Sequence, residues 1–183
     1  DAHTIGIGAL KYADLTSDRT KDYVFDWDTL MSFEGNTAPY LQNAYVRIQA
    51  IFRRGKVDQS LYHNFEGAAL SHLIITESIE HELAIQLLEF PDVIERVVDD
   101  LLIHKLCTYL HQLAAQFHRF YEQCKILNAA DEQIKNSRLM FCILVANTLK
   151  QGLNLLGVDV VEKCKCRQNS LECTTRVDRC RAA

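Results

Sequence analysis

The chain is predicted to be all-α, a helical bundle preceded by a short α/β segment, and three observations carry that prediction. Leu, Ile, Ala, Glu and Gln recur at helical spacing through its middle; only two of 183 residues are proline, Pro39 and Pro91; and 48% of the side chains are apolar, enough for a core without staples. Residues 1–35 differ in character from the rest of the chain. A Gly-punctuated start leads through the polar stretch "DLTSDRTKD" to "YVFDWDTL", whose aromatic and β-branched content predicts a short strand. This part reads as the end of a preceding domain.

The helices begin at Thr37, an N-cap, with Pro39 tolerated in the first turn and Gly55 placed to end the element. At about 100° per residue, Leu41, Tyr45, Ile48 and Phe52 stack along one face, while Tyr40, Asn43, Arg47 and Arg54 share another. Periodicity weakens over residues 56–76, where "HNFEGAALSHL" predicts a short helix. In "SIEHELAIQLLEF", Leu83, Leu87 and Leu88 fall on one side, and Pro91 forces a break before "DVIERVVDDLL". The strongest signal is "HKLCTYLHQLAAQFHRFYEQC", where Leu106, Leu110, Leu113, Phe117, Phe120 and Cys124 form a sustained apolar seam. Asn128, with Asp131 three residues later, opens a last long helix that stops at Gly157; its middle is apolar all round and belongs at the centre of the bundle. Residues 164–183 have neither periodicity nor turn logic and read as a non-native or disordered tail. The predicted division is therefore 1–35, 36–163 and 164–183.

Net charge is −4, but the tail is basic; without it 15 basic side chains face 22 acidic ones, a net of −7. A global basic field for nucleic acid is excluded, so any such binding has to be local. The longest apolar run, residues 139–146, is far short of the roughly 20 residues of a membrane span. Cys107, Cys124 and Cys142 fall in apolar helical stretches as small hydrophobes, which suits a reduced, cytoplasmic protein. The abrupt opening "DAHTIGIGALKYADL" looks like the inside of a longer chain.

His104, His111 and His118 share a helical face, but seven residues is about 10.5 Å of rise, too far to share one ion, so they read as a solvated face and no metal site is expected. Cys164 and Cys166 with Cys173 and Cys180 lack zinc spacing. Asp26 and Asp28 would face the same side of a strand, yet no nucleophile or histidine motif accompanies them, and Gly6 with Gly8 is too little for a phosphate loop. No catalytic constellation is present. Two readings of the Tyr40 to Arg54 face stay open: a tyrosine against a neighbouring loop beside solvated arginines, or a seat for unpaired bases, with a ring to stack on, an amide to read an edge and guanidinium groups for phosphate.

The blocks "GIGALKYADL", "KDYVFDWDTLMSFEGNTAPYLQNAYVRIQAIFRR", "HKLCTYLHQLAAQFHRFYEQC" and "NSRLMFCILVANTLKQGLNLLGV", in this order, closely resemble the C-terminal part of the arginyl-tRNA synthetase family. The resemblance covers residues 1 to about 163. It implies a class I aminoacyl-tRNA synthetase that uses ATP, with magnesium, to attach arginine to its tRNA. Residues 1–35 would close the catalytic domain, and residues 36–163 would be a bundle of the anticodon-binding type. The HIGH-type and KMSKS-type signatures that hold ATP in the family do not occur in this sequence, so the chain by itself is expected to be inactive and to need no cofactor. The expected partner is the arginine tRNA, met through its anticodon loop by a monomer. Tyr40 of "PYLQ" and Arg47 match family positions at that loop, as does Tyr109 of "LCTYL", although helical geometry sets Tyr109 at the edge of the apolar seam. Where the family usually has an aromatic residue, this sequence has Asn43. A helical protein-interaction module without an RNA role is the alternative.

Overall fold

In the computed structural model, residues 2–22, 24–57 and 73–162 are described. They form seven helices: α1 (Ala2–Thr16), α2 (Trp27–Leu30), α3 (Ala38–Gly55), α4 (Ser78–Leu88), α5 (Phe90–Asp100), α6 (His104–Gln123) and α7 (Glu132–Leu155). Of the strand predicted in "YVFDWDTL", the described residues 24–30 form none; residues 27–30 make one helical turn instead. Asp26 supplies the local reason. Its carboxylate caps that turn, accepting from the Thr29 backbone N–H at 2.9 Å and from Thr29 Oγ1 at 2.6 Å, so β-propensity yields to a side-chain cap. This also gives Asp26 a structural task in place of acid–base work beside Asp28. The short helix predicted within residues 56–76 and the tail 164–183 lie outside the described residues.

α3 starts as its sequence dictates: Thr37 Oγ1 accepts from the Tyr40 N–H at 3.3 Å, and Pro39 occupies the first turn. Its apolar face is buried, with Leu41 and Ile48 wholly so and Tyr45 and Phe52 nearly so. At its end the left-handed residue is Lys56 (φ 49°), one beyond Gly55. A Cβ at Gly55 would come within 2.7 Å of the Leu127 side chain, which would have to shift to admit it.

α6 is the hub. It packs on α1, α3, α4, α5 and α7, and every member of its predicted seam, from Leu106 to Cys124, is buried. α7 runs beside it with Leu139, Phe141, Val145, Leu149 and Leu153 in the core. Its N-cap is Asp131, whose carboxylate accepts from the Gln133 N–H at 3.3 Å, so the helix opens three residues later than Asn128 predicted. Leu83 of α4 is fully buried, whereas Leu88 at its C-terminus is 77% exposed because α5 begins two residues on and turns the chain away. Pro91 sits in the first turn of α5, where its missing N–H costs nothing.

One ion pair is built into this core. Glu80 has no exposed surface, and its Oε1 accepts from Arg138 Nε at 2.6 Å. Its Oε2 takes the Thr76 N–H at 2.7 Å, Thr76 Oγ1 at 3.2 Å and the Glu77 N–H at 3.1 Å. Arg138 Nη1 donates onward to the Lys125 carbonyl at 3.0 Å. Burial alone would raise the Glu80 pKa, but these donors together hold it below the ordinary carboxylate value. The start of α4, α7 and the α6–α7 connection are thereby joined at one point.

α1 packs against α3 and α6. Tyr12 is buried, its hydroxyl set 2.7 Å from Asn36 Oδ1 and 3.0 Å from the Cys107 carbonyl. After α7, Gly157 (φ 68°) turns the chain back over α1 and α3: Lys11 Nζ donates to the Gly157 carbonyl (2.8 Å), Gln42 Nε2 to that of Asp159 (2.8 Å) and Arg53 Nη1 to that of Glu162 (3.1 Å). Among the described residues, no helix is long and apolar enough to cross a membrane.

Candidate nucleic-acid interface

The flank of α3 beside its fully buried face carries Tyr40, Asn43 and Arg47, each half-buried, with Tyr40 packed against the edge of the core and Arg54 exposed near the helix end. Positions three and four apart on a helix are neighbours, which sets Asn43 between the ring and the first guanidinium. What lies opposite is the same side of α6. The Tyr40 ring is bracketed by His111, at 5.3 Å between centroids, and by His118, at 5.1 Å and edge-on at 66°. Arg47 Nη1 lies 3.1 Å from His118 Nδ1, and its guanidinium carbon stands 5.3 Å from the centre of the Tyr121 ring. That distance is within cation–π range.

The electrostatics favour one fixed cation among neutral rings. Burial, and then the nearby Arg47 charge, push the His118 pKa down to about 4; burial lowers that of His111. Burial raises the Tyr40 pKa, with Arg47 opposing the rise and Glu122 adding to it. At neutral pH both imidazoles are uncharged and Tyr40 keeps its proton. Arg47 therefore offers its remaining N–H donors from a position defined on two sides.

Beyond Arg47 the surface opens into a groove of about 410 Å³ between the ends of α3 and α6, lined by Arg54, Tyr121, Glu122, Lys125, Leu127 and Asn128 among others. Aromatic rings, an amide and guanidinium groups thus form one strip from Tyr40 to Arg54. Such a strip can stack flat π-systems and hold phosphate oxygens.

Of the five site residues expected from sequence, four lie along this strip. Tyr109 does not: it is 3% exposed, its hydroxyl donates to the Gln86 carbonyl at 2.7 Å, and its ring stacks on Phe90 at 5.6 Å. The apolar seam of α6 and the strip lie on different sides of the helix, and Tyr109 faces α4 and α5. Its ring and its hydroxyl are both engaged in the core. Conversely, His111 and His118 are not a solvated face. They pack on Tyr40, and their seven-residue spacing, about two turns, is what lets two rings of one helix flank a ring of another. Tyr121 was also missed; its signal is the position three beyond His118, on the same side of α6.

Comparison with known proteins bears on the bundle as a whole. The profile of the DALR anticodon binding domain matches residues 41–164. Over 159 residues the chain is 50% identical to an arginine–tRNA ligase of Pasteurella multocida, covering 87% of this chain and 27% of that protein. For the Haemophilus influenzae enzyme the identity is 51% over 159 residues, covering 87% and 26%. The solved arginyl-tRNA synthetase of Plasmodium falciparum superposes with a TM-score of 0.76 at 33% identity, covering 88% of this chain and 27% of that one. The Thermus thermophilus structure gives 0.75 at 27% identity, covering 89% and 27%. The chain spans about a quarter of the length of the curated relatives it matches. A profile match over most of the bundle, on helices that carry the aromatic and basic strip, shows that the chain belongs to the DALR anticodon binding domain family.

Proposed function

We propose that this chain is the anticodon-loop-binding part of an arginine–tRNA ligase, and that the strip from Tyr40 to Arg54 is the surface that meets the loop. The observation that carries the proposal is the Tyr40, His118, Arg47 and Tyr121 cluster, which places a half-buried ring next to an oriented guanidinium on an otherwise acidic body. A base unstacked from the loop lies on Tyr40, Arg47 donates to phosphate or a base edge, and Asn43 reads an edge beside it. Arg54 holds backbone phosphate further along. In the intact ligase, binding energy at a site remote from the reacting groups places the tRNA for aminoacylation.

Activation of arginine by ATP with magnesium is assigned to the rest of that ligase. The described residues offer rings, amides and guanidinium groups at the strip, and among them no group of three His, Cys, Asp or Glu side chains is arranged to hold a metal ion. Because the HIGH-type and KMSKS-type signatures do not occur in this sequence, the chain alone is expected to give no ATP–pyrophosphate exchange with arginine. The decisive test is binding of an arginine-tRNA anticodon stem-loop to the 183-residue chain, against the same stem-loop with its central anticodon cytosine replaced. Tighter binding of the cytosine loop supports the proposal. Equal affinity for both, or none for either, refutes it in favour of a protein-interaction surface.

A further inference from the structure

We propose that His118 is a positioning residue for Arg47: its unprotonated Nδ1 fixes the guanidinium beside Tyr40, so that the strip meets RNA with the cation already in place. The inference rests on the anticodon-loop reading above and adds to it a residue that never touches the RNA.

Arginine has donors and no acceptor, so the 3.1 Å contact from Nη1 to Nδ1 requires a lone pair on that nitrogen. The ring must then be neutral with its proton on Nε2. The same imidazole stands edge-on against Tyr40 and beside the buried ring of Phe117, at 5.9 Å. One side chain therefore touches both functional groups on α3. On its other side Arg47 meets Tyr121. An arginine held between an acceptor and a ring has surrendered much of its rotamer freedom before a ligand arrives, so less is lost on binding. An alternative in which His118 is only a packing residue would need its ring volume and not its nitrogen.

Three variants separate these cases in the full chain: H118F keeps a ring without an acceptor, H118N places an amide oxygen near the position of Nδ1, and R47A removes the group acted upon. Stem-loop binding is measured for each and for the R47A/H118F pair. H118F is expected to weaken the cytosine loop roughly 2- to 12-fold, the span that ordering one long side chain takes from an affinity. H118N should restore binding to within about 2-fold, and H118F should add less than about 2-fold in the R47A background, where the coupled group is already gone. A second readout needs no RNA: ¹⁵N relaxation of the Arg47 Nε should show an ordered side chain in the wild type and H118N and a mobile one in H118F. Binding by H118F equal to wild type, H118N as weak as H118F, a full H118F penalty without Arg47, or equal Arg47 order in all three would each overturn the inference. If the wild type itself fails to prefer the cytosine loop, the interface reading falls and this inference with it. That outcome is distinct from a discriminating wild type that is indifferent to His118.

Discussion

Replacing Arg138 by methionine removes the donor of the buried pair while keeping most of its apolar stem. Glu80, with no exposed surface, would then lose its 2.6 Å partner but retain the Thr76 and Glu77 donors. The Lys125 carbonyl loses its donor as well. Breaking a buried pair on one side typically costs about 3–5 kcal/mol. The surviving donors argue for the lower half of that range, and the orphaned carbonyl adds about 1 kcal/mol, so a loss of about 4 kcal/mol is expected. For a chain of this size each kcal/mol moves Tm by roughly 2–4 °C, giving a fall of roughly 8–16 °C. Thermal and urea unfolding of the 183-residue chain and of R138M, followed by helical circular dichroism, measure it. Acid adds a control. The Glu80 pKa is lowered in the fold, so its contribution is fully present above the unfolded-state pKa and lost as pH falls through the folded one; R138M should show a shallower acid slope. A loss under about 1 kcal/mol with an unchanged slope would mean that α4 and α7 are held by apolar contact alone, refuting the account of this pair.

Other expectations arise from the interface. Tyr40→Ala in the intact ligase should lower kcat/KM for tRNA by roughly 5- to 150-fold, from about 1 to 3 kcal/mol per stacked base, leaving ATP and arginine binding nearly unchanged; an unaltered tRNA response removes Tyr40 from the site. His118, flanked by Arg47 and Tyr40 of α3 and by the uncharged Phe117 of α6, has a folded pKa near 4. Its unfolded value is about 6.5, so the unfolded chain binds more protons between those limits and stability falls on acidification through that window, by up to about 3 kcal/mol. H118F should flatten that part of the stability–pH curve, and an identical curve would contradict it. Burial pushes the Cys107 thiol up to about 12, so its alkylation at pH 8 should proceed only as fast as the chain opens. Peptide mapping of Cys107 with and without denaturant checks this.

Much of the bundle was legible because its signals are local. The Thr37 cap, the first-turn Pro39 and the six-residue seam of α6 each determine structure within a few turns, and all three lie where periodicity set them. Residues 24–30 misled because aromatic and β-branched content favours a strand only where a partner strand exists, and a single Asp26 carboxylate outweighed it. At the interface, α3 alone revealed Tyr40, Asn43, Arg47 and Arg54. The two histidines and Tyr121 were opaque because their role depends on which side of α6 faces α3, a tertiary relation that no spacing within one helix encodes. Tyr109 shows the converse: a motif position can be right for the family while the ring itself serves the core.

The contact from Lys11 to the Gly157 carbonyl links groups 146 residues apart, and Tyr12 beneath it reaches the backbone of α6. A contact of that sequence separation carries a loop-closure cost that the intervening helices lower once they are packed, so its formation is expected late in folding. The stretch from residue 41 that the family profile marks contains neither of these contacts. A clone trimmed to that boundary would lose Tyr40 at the head of the candidate strip together with the Thr37 cap and all of α1, uncovering the surfaces of α3 and α6 on which α1 packs, and should behave as a looser, more hydrogen-exchange-labile protein than the full chain.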